Sequence, residues 1–237
     1  MRKESPDQLV LAIETTAPVP GAALARASGA DVRVIAEEYA PRSGRAETLD
    51  RCIHALLGRT GTRPADITAL AVVDGPGSYT ALRVGLALAR GIAAVDQLPV
   101  AACGSLELIA ETCAPAARIC ALLDASHGKV YAAGFVRDGG ELSEQHGAVV
   151  VSVGDLDAEI ERWGGAWVRC GDARLREQLP LDVVAPAERA AILARVGAAR
   201  VLSGRGRPAN EILPRYVGAS GARPPRASGA LGDGVSI

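Results

Sequence analysis

Asp74-Gly-Pro-Gly-Ser-Tyr-Thr-Ala-Leu-Arg-Val-Gly85 is the stretch on which the fold turns. Thr68–Val73, just before it, is a short apolar run of strand length. Gly75 and Gly77 flank Pro76, a composition that forces a tight turn. Ser78 is placed to cap a following helix, predicted over Tyr79–Val95. Free backbone N–H groups at such a helix start attract anions, so Gly75, Gly77 and Ser78 are candidates for a phosphate or other anion site. Within the helix, Ala81, Gly85, Ala89 and Ala93 recur every fourth residue as a stripe of small side chains. Leu82, Val84, Leu86, Leu88, Ile92 and Val95 fill most of the remaining surface, and only Arg83 and Arg90 mark a polar edge. A helix apolar on nearly every side must be covered on nearly every side. One side suits the chain's own sheet; the small stripe, with Arg83 and Arg90 beside it, is expected to meet a second protein.

Outward from this point the elements fall into an order. Leu9–Ile13 reads as a buried strand that ends in Glu14. Strands at Ala22–Arg26 and Val32–Glu37 follow in series, separated by Pro- and Gly-containing turns. Leu49, Cys52, Ile53, Leu56 and Leu57 are spaced as one face of a helix, with Arg45, Glu47, Asp50 and Arg51 on the other. After the quoted stretch come a strand at Pro99–Ala102 and a helix at Ser105–Cys113. The order β-β-β-α-β-α-β-α is that of an RNase H-like lobe. It then recurs with strands at Ile119–Leu123, Val130–Val136 and Ala148–Val153, a helix at Asp155–Trp163, a strand at Trp167–Cys170 and a helix at Ala187–Leu202. The expected fold class is therefore α/β: two tandem RNase H-like lobes of the actin-like ATPase (ASKHA) superfamily. The first lobe takes residues 1–110. The second, smaller lobe takes 111–217, its final helix free to return to the first. From Gly218 the chain is Gly, Ala, Ser, Pro and Arg with almost no large apolar residue, and a disordered tail is expected.

Composition narrows the function classes. With 237 residues, 49% of them apolar, the chain can bury a large core. Its net charge of −1 and isoelectric point near 6.3 do not suit a chain that grips nucleic acid alone. Only one Phe, two Trp and four Tyr are present, too few for base-stacking platforms. The five cysteines are odd in number and irregularly spaced, mostly in apolar runs, which fits buried free thiols in a reducing compartment. No leader and no run of about 18 apolar residues is seen, so a cytoplasmic location and no membrane contact are expected.

Asp74–Gly85 resembles the glycine-rich GPGSFTGLR signature of the TsaB (YeaZ) family. Leu11-Ala-Ile-Glu-Thr-Thr16 is similar to the family's LAIDTS start, and Arg45-Ala-Glu-Thr-Leu49 to its HSExL helix start. Leu122–Tyr131 is similar to its IDARxGEVY segment, and Pro214-Arg-Tyr216 to its Pro-x-Tyr near the end of the folded region. What the resemblance implies is an accessory scaffold subunit in the synthesis of N6-threonylcarbamoyladenosine at position 37 of tRNA. Such a subunit binds a catalytic TsaD-like paralogue, with a TsaE-like ATPase as third partner. It meets tRNA only through the complex, and it also forms homodimers through the same surface. The helices matching Arg45–Leu57 and Tyr79–Val95 would form that surface. Leu49, Ile53, Ala81, Arg83, Gly85, Ala89, Arg90 and Ala93 are then the expected interface residues. Arg45 and Ala81 depart from the family's His and Gly.

No catalysis is expected of this chain alone. The paralogue's metal-binding His-x-x-x-His aligns by eye with Ser105 and Ile109, and Ile cannot ligate a metal. His54, His127 and His146 lack ligand spacing. Glu14, Thr15, Thr16 and Asp124, with Gly75, Gly77 and Ser78, mark where a vestigial nucleotide or anion site would lie. The turn Thr15–Gly21 has one glycine and two prolines, and prolines remove N–H donors. No cofactor and no metal is therefore expected; ATP or ADP would have a place only at a subunit junction. Glu14, Asp74, Asp124 and Asp172 each close a strand and are expected to satisfy turns there. The readings left open are an independent actin-like ATPase or kinase, and a metal-dependent nuclease or protease of RNase H-like fold.

Overall fold

The computed structural model describes residues 7–29, 31–40, 47–113 and 116–217. Arg45, which opens the expected first helix, and the expected tail beyond Gly218 lie outside the described residues.

The first sheet holds β1 (Gln8–Glu14), β2 (Gly21–Ser28), β3 (Asp31–Tyr39), β4 (Ala69–Gly75) and β5 (Val100–Gly104) in the order β3-β2-β1-β4-β5. β1 runs antiparallel to β2 and parallel to β4, and β5 is parallel to β4. Helices α1 (Glu47–Thr60) and α2 (Tyr79–Asp96) connect these strands. The alternation along the strands sorts side chains by size. Leu9, Leu11 and Ile13 of β1, Leu24 of β2, Leu70 and Val72 of β4 and Val100 of β5 face α1 and α2. Ala12, Ala23, Ala25, Ala69, Ala71 and Ala101 face the opposite way.

That alanine face is covered by α5 (Ala190–Leu202), the last α-helix among the described residues, through Ala190, Leu193, Ala194 and Ala198. Small side chains on both partners let the backbones approach closely. A Cβ at Gly197 would lie 2.2 Å from the Cβ of Ala71, so no side chain fits there. The final helix belongs by packing to the first sheet.

The second sheet runs β10-β9-β6-β7-β8, with β6 (Arg118–Asp124), β7 (Lys129–Asp138), β8 (Glu141–Ser152), β9 (Val168–Asp172) and β10 (Val183–Ala185). α3 (Ser105–Glu111) packs Leu106, Ile109 and Ala110 against Ile119, Ala121, Leu123 and Phe135. α4 (Leu156–Trp163) covers the other face through Leu156 and Ile160. The Ser105–Cys113 helix thus packs Leu106, Ile109 and Ala110 on the second sheet and keeps Leu108 in the first core, while α5 covers the first sheet. The lobes exchange a helix each.

Three further differences from the sequence reading have local causes. β8 begins at Glu141 rather than Ala148, because Gly139 and Gly140 take positive φ in a tight hairpin that starts pairing at once. Between β9 and β10, where the sequence reading places no element, lies a short 3-10 turn, Ala173–Glu177. β10, only Val183–Ala185, was too short to register as a pattern.

Candidate functional site

Ser78 accepts a hydrogen bond from the Ala81 N–H at 3.5 Å and so caps α2. The side chains of α2 then point in directions that correct half of the expected interface. Gly85, Ala89 and Ala93 are buried against the chain's own first sheet, not presented to a partner. A Cβ at Gly85 would come 2.6 Å from Oγ1 of Thr15, whose hydroxyl donates to the Ala81 carbonyl at 2.8 Å. The glycine is needed because β1 continues directly beneath the helix. Leu49 and Ile53 of α1 are buried in the same core. Small residues, read as room for a second protein, are room for the chain's own strand.

The outward face of α2 carries Thr80, Arg83, Ala87, Arg90, Gly91 and Ala94, with Val84 and Leu88 half-buried at its margins. Val95, at its end, is 79% exposed. A Cβ added at Gly91 would meet nothing within 4 Å. On α1, His54, Ala55 and Gly58 face solvent on the same side of the sheet. The chain thus keeps a mostly apolar, small-residue helix face; it lies one step around the helix from the stripe the spacing suggested.

The two arginines of α2 separate in role. Arg90 donates to the carbonyls of Ala209 (3.3 Å) and Ile212 (2.5 Å), so it holds the chain's own returning segment. Arg83 is exposed; it donates to the Tyr79 hydroxyl at 2.9 Å, and its guanidinium sits 5.1 Å from that ring's centre. Tyr79 in turn stacks on Tyr216 at 5.5 Å. Among the described residues no carboxylate pairs with Arg83. Arg83 is thus held only by its own helix, whereas Arg90 is already engaged by the returning segment.

The vestigial anion site assembles, but not as an anion site. One carboxylate oxygen of Glu14 accepts the N–H of Thr16 (2.6 Å), the Thr16 hydroxyl (2.8 Å) and the N–H of Ala17 (3.0 Å). The donors a phosphate would use are occupied by a buried carboxylate of the wrong sign. Gly77 approaches Thr16 and Leu123, closing the space between the lobes there. Asp124 accepts the Ser126 N–H at 2.8 Å in its own turn. These residues do not fit a nucleotide's phosphates. Gly75 has φ of 127°, and a Cβ there would strike the Arg215 carbonyl at 2.5 Å. Ser105 is buried beside Thr16, their hydroxyls 3.4 Å apart, and Ile109 is fully buried. Among the described residues no group of His, Cys, Asp and Glu could hold a metal.

The strand-end carboxylates divide two and two. Glu14 and Asp124 satisfy turns, as the sequence implies. Asp74 and Asp172 instead bind arginines from the chain's C-terminal third. Asp74 accepts from Arg215 at 2.7 Å and, by its backbone carbonyl, from the Arg215 N–H at 2.6 Å. Burial pushes the Asp74 carboxyl upward, against the pull of Arg215. Asp172 and Arg189 form a fully buried ion pair at 2.6 Å, with one atom of each left without a hydrogen-bond partner. Sequence reading missed these arginines, since pairs separated by 17 and 141 residues leave no local signal.

Two five-stranded mixed sheets, each opening with an antiparallel meander and exchanging helices, define a protein of the actin-like, RNase H-like class. Comparison with known proteins narrows this. The family model described as "TsaD: tRNA N6-adenosine threonylcarbamoyltransferase" matches residues 42–164, just over half of the chain. Among curated proteins, the "tRNA threonylcarbamoyladenosine biosynthesis protein TsaB" of Escherichia coli K12 is 35% identical over 127 residues, covering 50% of this chain and 53% of the relative. That of Bacillus subtilis 168 is 34% identical over 125 residues, covering 52% of each. The chain spans about half the length of these curated relatives. The solved structure "YeaZ from Pseudomonas aeruginosa" shares the fold, with a TM-score of 0.70 at 23% identity, over 89% of this chain and 100% of that one. The chain belongs to the family that this TsaD model describes.

Proposed function

We propose that this chain is the accessory scaffold subunit of a tRNA threonylcarbamoyladenosine-forming complex, acting on adenosine-37 by binding and supporting a TsaD-like catalytic subunit. The observation that carries the reading is the outward face of α2, small and apolar along Ala87, Gly91 and Ala94 and edged by Arg83. Small residues let a partner helix approach to backbone distance, and one exposed arginine at the rim can set its register through a carboxylate. The obstructed Glu14 turn supports the same reading, because it favours a scaffold over an independent ATPase or kinase. A TsaE-like ATPase as third partner, tRNA reached only through the complex, and a cytoplasmic location complete the proposal. Among the described residues no helix is long and apolar enough to cross a membrane.

The test is co-purification with the same organism's TsaD-like protein, followed by sizing. Gly91→Arg and Ala87→Glu should leave the chain folded, losing no more than about 0.5 kcal/mol of stability, since both positions are exposed. Both should abolish the one-to-one complex. A complex that survives both variants places the interface elsewhere. Sizing of the chain alone shows whether a second copy uses the same face.

A further inference from the structure

A cavity of about 390 Å³ opens between the lobes. Its floor is Gly75, Pro76 and Gly104 at the ends of β4 and β5. One wall is apolar and comes from the second lobe: Ala133, Phe135, Leu142 and Ala148, with Leu106 of α3. The other wall is charged, and most of its charge is internally cancelled. Asp74 is paired with Arg215, and Glu107 with Arg200, which also donates to the Ala102 carbonyl. Two lining charges remain. Arg207 is held in place by its backbone, which exchanges two hydrogen bonds with Val100 at 2.8 and 3.0 Å. Its guanidinium has no carboxylate partner among the described residues. Glu144, on β8 across the cavity, likewise has no cationic partner there.

We infer that this cavity binds a small zwitterion, a free α-amino acid with an apolar side chain. Its carboxylate would pair with Arg207, its ammonium with Glu144, and its side chain would lie on Leu142 and Phe135. Three carboxylates and three guanidiniums line the space, so its formal charge is zero. A phosphate-bearing ligand would meet Asp74, Glu107 and Glu144 with no surplus of cations, whereas a zwitterion satisfies both unpaired groups without adding net charge. The volume lies in the range of ordinary small-molecule sites.

The experiment is calorimetric titration of the full chain with L-leucine, N-acetyl-L-leucine and L-leucinamide. Saturable binding of L-leucine is expected, with either blocked derivative weaker by about ten-fold or more, each lacking one charge-assisted contact. Arg207→Gln and Glu144→Gln should each weaken L-leucine to a similar degree while leaving the melting curve unchanged, since both side chains are exposed. Absence of L-leucine binding overturns the inference. So does binding of N-acetyl-L-leucine as tight as that of L-leucine, which would mark a plain anion site on Arg207. Binding unaffected by both variants also overturns it, placing the ligand elsewhere.

Discussion

Two glycines of α2 do opposite things. Gly85 exists because Thr15 lies beneath it, and Gly85→Ala should cost about 1–3 kcal/mol as an overpacked contact. Gly91 meets open space, and Gly91→Ala should be neutral or stabilise by up to about 1 kcal/mol through helix propensity. Urea denaturation of the two variants separates them; equal effects would mean the helix is rotated from the orientation described. The Asp172–Arg189 pair offers a second test. Arg189→Met leaves a buried carboxylate uncompensated, and a loss of about 3–5 kcal/mol is expected. Adding Asp172→Leu should recover much of that loss in a double-mutant cycle. If the double variant is as unstable as the single one, the residues matter by shape rather than charge.

At the scale of elements, α2 shows what sequence can and cannot convey. Its start, its cap and its extent were legible from Ser78 and from helical spacing. Which of its two small-residue faces turns inward was not, because Ala and Gly lie on both. The decision is made by β1, through Thr15, at a separation no local pattern records. The strands, by contrast, encode their faces plainly. Leu and Ile alternate with Ala along β1, β2 and β4, so the close-packed side of the sheet is written in side-chain volume. The thiols follow from this packing too. Burial pushes Cys103, Cys120 and Cys170 up to about 12 from an ordinary value near 9. A folded state that holds these protons longer than the unfolded one loses stability as pH rises from about 9 towards 12, and not below it. Denaturation series at pH 7, 9 and 10.5 should show that decline. All five cysteines are buried and free, so a thiol reagent at pH 8 should label the native chain slowly and the unfolded chain five times over. Rapid native labelling would contradict the buried placement.

For the molecule as a whole, the repeated order of elements was enough to indicate two lobes of one ancestral plan, and the solved relative shares that plan. The exchange of α3 and α5 between lobes was harder to read. A helix's apolar face does not name the sheet it covers, and α5 is apolar enough to serve either. Its choice rests on Gly197 meeting Ala71, a fit of two small residues from opposite ends of the chain. Gly197→Val should therefore loosen the first lobe more than the second. Limited proteolysis, read by fragment mass, should cut first within β1–β3; cleavage confined to residues 118–185 would contradict the assignment of α5.

That assignment also bears on how the chain comes off the ribosome. The strands of the first sheet are all made well before α5, so one side of that sheet stays bare until residues 190–202 are translated. The first lobe therefore cannot complete its packing during synthesis until α5 has emerged. Nascent chains stalled before α5 should remain sensitive to protease across β1–β5, and chains stalled well beyond it should not. Until then the growing polypeptide carries an alanine-lined sheet surface with nothing of its own to cover it.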